Sequence, residues 1–143
     1  MNDDSIQLIK EVDSGCLMAI NSLHQMEEYE IPKAQNDMIT RYIAKHNELQ
    51  KEASRLLHNH NETDKQPGMM ASAMSWLTTE MKLMIHENTS EISKIMMNGC
   101  NMGIQSIREQ MSKYKGAEDE AIKLAEKLIK VEEDMFSDAK EFI

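Results

Sequence analysis

Aromatic side chains make up only 4% of the 143 residues, so any core has to be built from aliphatic side chains and from the fourteen methionines. Two prolines and five glycines leave little material for turns, and few β-branched runs are present, which points away from sheets and toward long helices. Two cysteines, Cys16 and Cys100, cannot form a disulfide framework and lack CxxC spacing, so reduced thiols are expected. Positive charge is scarce as well: 16 Lys and Arg stand against 25 Asp and Glu, and the formal charge of −9 repels phosphate. With no basic cluster to offset it, nucleic acid and anionic membrane surfaces are not expected partners. There is no apolar run of membrane-spanning length and no charged leader with an apolar core, which gives the expectation of a cytoplasmic protein.

What is present is helical periodicity within one domain, residues 1–143. Asp3-Asp4-Ser5 offers cap chemistry, Asp4 and Gln7 resembling a capping box, and a first helix is predicted over Ser5 to Glu28. Its stripe is Ile6, Ile9, Val12, Cys16, Ala19, Ile20, Leu23 and Met26, with Gly15 suggesting a close neighbour. Pro32 ends this segment and suits the first turn of a second helix, predicted to run to His58. That helix carries Ile39, Tyr42, His46, Leu49, Ala53 and Leu56, with Ile43 and Leu57 beside them. A short connection makes the pair antiparallel.

Helix-poor residues between Asn61 and Gly68 then lead into the amphipathic run Met70, Met74, Leu77, Met81 and Met84. The stretch Asn61 to Asn88 is too long for a turn and reads as a helical crossover. A third helix is predicted from Asn88 to Lys115, with Ile92, Ile95, Met96, Gly99, Met102, Gly103, Ser106 and Ile107 inward and Gly116 as its C-cap. A fourth begins in Glu118-Asp119-Glu120, where a helix N-terminus favours negative charge, and carries Ala121, Ala125, Leu128, Glu132, Met135, Ala139 and Phe142. Two antiparallel hairpins joined by one long crossover make an all-α, ferritin-like four-helix bundle, with the second and third helices parallel. A dimer is expected through the Met-rich crossover, around Met69, Met70, Trp76 and Leu83, with another protein as the alternative partner.

Ser90-Glu91-Ile92-Ser93-Lys94-Ile95-Met96-Met97-Asn98-Gly99-Cys100-Asn101-Met102-Gly103-Ile104, followed by Tyr114, Leu124-Ala125-Glu126-Lys127-Leu128-Ile129 and Glu132, resembles the second hairpin of the bacterial ferritin-like domains of unknown function. Met74-Ser75-Trp76 looks like their crossover. The resemblance implies a fold and carries no activity. Di-iron bundles place a Glu on each of two helices and a Glu-x-x-His on each of the others, and no Glu-x-x-His or Asp-x-x-His occurs here. His24-Gln25-Met26-Glu27 has the reverse order.

The polar residues left on apolar stripes are Asp13, His46 and Glu132, at matching helical depth together with Cys16 and Met102. Two roles are open to them. They form a closed hydrogen-bond network, His46 donating to Glu132 or Asp13 with Tyr42 or Ser106 completing it. Alternatively the three hold one metal ion, which Cys16 or Met102 would make a softer one such as zinc or copper(I). His58 and His60, two apart, do not share a helix face, and helical spacing explains the methionines without copper. No nucleophile arrangement or phosphate-cradling loop is present, so a non-enzymatic structural or interaction protein is expected, with the metal-binding bundle as the alternative.

Overall fold

The computed structural model describes residues 1–62, 77 and 89–143; the crossover, with the association surface expected on it, lies otherwise outside the described residues. Among them are four long helices and no strand: α1 (Asp3–Met26), α2 (Lys33–Asn59), α3 (Thr89–Lys113) and α4 (Asp119–Ala139), the last closed by a 3-10 turn over Lys140–Phe142. The closest packing is within the α1/α2 and α3/α4 pairs. α4 also packs on α1 and α2, and α1 on α3, which leaves α2 and α3 at opposite corners of a bundle.

Polar contacts between the helix ends give their directions. The end of α2 lies beside the start of α1, where Lys10 Nζ pairs with Glu62 at 3.3 Å. The end of α3 lies there too, since the Gly116 N–H donates to Asp4 Oδ2 at 2.8 Å. At the other end, Gln35 Nε2 in the first turn of α2 donates to the Thr89 carbonyl and to Ser93 Oγ, each at 3.0 Å. Hence α2 and α3 run in the same direction.

The first residues of the chain are clasped to the α3–α4 turn, and here the structure departs from the expected caps. Asn2, and not Asp4, caps α1: its Oδ1 accepts from the Ser5 N–H at 2.9 Å. Asp4 is released to hold Gly116, and Ser5 Oγ accepts from the Glu118 N–H at 2.7 Å. Gly116 is therefore no left-handed C-cap, for no described glycine has positive φ. A glycine fits there because a Cβ would lie 2.7 Å from Asp4 Oδ2.

The stripes of α1, α2 and α4 are buried largely as the spacing requires, with Ile6, Ile20 and Phe142 only half-buried at the margin. α3 differs. Its buried arc is centred on Ile92, Met96, Gly99 and Cys100, so Met102 and Ser106, expected inward, lie past its edge and face out; Met102 is 58% exposed. Because α3 does not pack closely on α2, fewer of its faces need an apolar side chain. Gly15 admits α4: a Cβ there would sit 3.3 Å from Leu128 Cδ2.

Among the described residues the apolar core falls into two clusters. One gathers Leu23, Met38, Ile39, Ile92, Met96 and Met135, with Leu77 packed into it; the other gathers Leu8, Val12, Leu49, Ala53, Leu124 and Leu128. Between them lies a polar layer.

Candidate functional site

The layer is made of one side chain from each of three stripes. His46 on α2 follows Tyr42 by one turn, Glu132 on α4 stands between Leu128 and Met135, and Asp13 on α1 stands between Val12 and Cys16. Amphipathic periodicity forces all three inward, and they are buried, with 0% exposure for His46 and Asp13 and 3% for Glu132. Burying such groups without partners would cost several kcal/mol, on the order of 3 or more for an unpaired charge, so their bonding decides what the layer is.

His46 and Glu132 face each other across the α2/α4 contact, Nε2 to Oε1 at 2.7 Å. The other ring nitrogen, Nδ1, lies 2.7 Å from the Tyr42 carbonyl one turn back. A carbonyl only accepts, so Nδ1 carries a hydrogen and donates it. One further proton then lies between Nε2 and Oε1, in an imidazolium–carboxylate pair or in a carboxylic acid donating to neutral imidazole. In both forms the ring is satisfied on both sides and its orientation is fixed.

Asp13 does not converge on that pair. Its Oδ1 accepts from Gln50 Nε2 at 3.0 Å, one turn along α2 from His46. The completing partners also differ from those expected: Tyr42 serves the ring through its backbone carbonyl, while Ser106 is exposed. The Tyr42 hydroxyl is bound to Asp138, and burial first, then that bond and the Asp138 charge, push the phenol well above its ordinary range. Arg41 joins Asp138 at 3.2 Å on the surface.

Two features of the layer were not marked by the apolar periodicity. Gln50 lies four residues beyond His46, and that spacing could have signalled it. Cys100, in place of Met102, is the α3 sulfur beside the centre. Burial first, then the Glu132 charge and a hydrogen bond to Glu132, push its thiol far up; burial first, then Glu132 and Asp13, do the same to Cys16. Gly103, expected inward, lies against the same centre. A Cβ there would be 3.4 Å from both Cδ and Oε2 of Glu132, so glycine leaves the space that the carboxylate fills. The Oε2 atom itself is buried and, among the described residues, has no hydrogen-bond partner.

A raised thiol pKa in the folded state keeps the neutral form. The unfolded chain loses thiol protons near its ordinary value of about 9, so this contribution to stability is present below that pH and is lost as pH rises above it. Both cysteines are buried and free, and a disulfide-exchange reagent is expected to label neither in the native protein at pH 8 and both in denaturant. Rapid native labelling would contradict the placement of Cys16 and Cys100.

Among the described residues, no three His, Cys, Asp or Glu side chains are gathered as metal ligands are. His24 and Glu27 form an exposed surface pair at 2.8 Å, and Glu62, beside the histidines at the end of α2, is bound to Lys10. No described helix is long and apolar enough to cross a membrane. Compared with family models, with curated proteins and with solved structures, the chain matches none.

Proposed function

We propose that the chain is a ferritin-like helical bundle acting as a non-enzymatic structural or interaction protein in the cytoplasm, with the His46–Glu132 layer as a buried network that sets how its helices align. The observation that carries this is the double satisfaction of the His46 ring, by Glu132 on one side and the Tyr42 carbonyl on the other, both at 2.7 Å. A polar pair between two apolar clusters penalises every sliding of α2 along α4 that would separate its members, which is the best-attested role of a buried polar group. The parallel α2 and α3 support the ferritin-like topology.

A metal-binding role is the second reading, favoured by a Glu132 Oε2 with no partner among the described residues and by the Nδ1–H held on a carbonyl, as in many ligating histidines. The residues present do not fit a di-iron centre: the layer offers one imidazole, two carboxylates and two thiols held protonated, and Asp13 is turned to Gln50. Elemental analysis of protein purified without an affinity tag separates the two readings. The network reading expects substoichiometric metal, unchanged in Glu132→Gln. A stoichiometric metal, lost in both Glu132→Gln and Glu132→Ala, would replace it with the second.

A further inference from the structure

From Ile95 to Ile107, thirteen consecutive residues of α3 carry no charge, in a chain with 29% charged residues. Part of that run is core, but its outer face, with Asn98, Asn101, Met102 and Gln105, is exposed, Met102 at 58%. A solvated helix face in so charged a chain would ordinarily bear lysine and glutamate. Depletion of charge around an exposed methionine is the composition of an interface centre.

The charges that flank this face identify its occupant. On its N-terminal side are Glu91 and Lys94, and on its C-terminal side Arg108, Glu109 and Lys113. Laid antiparallel across a second α3, with Asn101 and Met102 at the crossing, the helix sets Lys94 opposite Glu109, Asn98 opposite Gln105 and Arg108 opposite Ile95, and brings Glu91 within one residue of Lys113. Each pair then occurs twice about the two-fold axis, and a parallel arrangement has no such matching. Lys94 and Glu109 are both exposed, and their partners among the described residues lie on their own helix, Glu91 at 3.2 Å and Gln105 at 3.4 Å. The face continues into the α3–α4 groove, where Met111 and Ile129 are rimmed by Arg108, Glu126, Lys130 and Glu133, which adds area toward the roughly 800 Å² per partner of a stable contact.

We infer that the outer face of α3 binds a second copy of this chain as an antiparallel, two-fold contact centred on Asn101 and Met102. The inference deepens the interaction reading and rests on it, yet the two fail separately. A chain that stays monomeric overturns the homodimer and leaves a heterologous partner to the broader reading; a stoichiometric metal overturns the broader reading alone.

The test is sedimentation equilibrium on the full chain across a wide concentration range, with circular dichroism confirming that each variant is folded. Wild type is expected to dimerise, and Lys94→Glu or Glu109→Lys alone to weaken the dimer about tenfold, because each sets two like-charge pairs in place of two ion pairs. The double variant Lys94→Glu with Glu109→Lys restores the dimer, and Met102→Lys abolishes it. A monomeric wild type overturns the proposal. So does a dimer indifferent to Met102→Lys and to single reversals, which would place the contact elsewhere, or a double variant no better than the singles.

Discussion

Replacing Glu132 with alanine is expected to lower the folding free energy by roughly 3 kcal/mol, the cost of stranding one member of a buried pair. The carboxylate is 4% exposed at its side chain and the His46 ring 0%, so water cannot take the place of the lost partner. In a chain of this length that loss corresponds to about 10 °C in Tm. Glutamine should cost under about 1 kcal/mol, since its amide N–H can donate to Nε2 while Nδ1–H stays on the Tyr42 carbonyl. Urea unfolding of both variants measures the contrast. Equal losses for alanine and glutamine would show that the layer depends on the carboxylate charge and not on a hydrogen bond to the ring.

Approached from the opposite wall, Gly103→Val is expected to cost about 2 kcal/mol, as overpacking does. The Cβ of an alanine meets Glu132 at 3.4 Å, ordinary contact distance, and gains helix propensity of up to about 1 kcal/mol over glycine. Gly103→Ala should therefore be neutral or slightly stabilising. Valine places a further methyl against the carboxylate, which must swing away from His46 or push α3 outward. Because the damage is done through Glu132, Gly103→Val in the Glu132→Ala background should cost clearly less than in wild type, and a thermodynamic cycle on denaturant midpoints reads that coupling. Strict additivity would mean that Gly103 shapes the backbone contact and not the polar layer.

Much of this arrangement is legible in the spacing of residues. His46 repeats the interval of Tyr42 and Leu49, Glu132 that of Leu128 and Met135, and a 3.6-residue period leaves such side chains no direction but inward. Their common depth follows from short connections within each hairpin. Asp13 shows where periodicity stops: burial could be read from its place between Val12 and Cys16, but its turn toward Gln50 is a rotamer choice that the pattern does not encode. Met102 shows a second kind of miss. A helix at a corner of the bundle needs a narrower apolar arc than its hydrophobic residues suggest, and the tilt of that arc depends on which neighbours it packs against. Gly116 shows a third, since glycine after a helix usually means a left-handed cap, whereas here Asp4, 112 residues away, occupies the space that a side chain would need.

The bonding of the His46 ring holds the polar layer together, and long-range proton–nitrogen NMR of the histidine rings in metal-free protein observes it directly. One imidazole is expected to show Nδ1–H in slow exchange with solvent, absent from the spectrum of His46→Gln, its signals unchanged when zinc is added at equimolar concentration. An Nδ1–H that exchanges freely, or an Nε2 signal displaced by zinc, would contradict it.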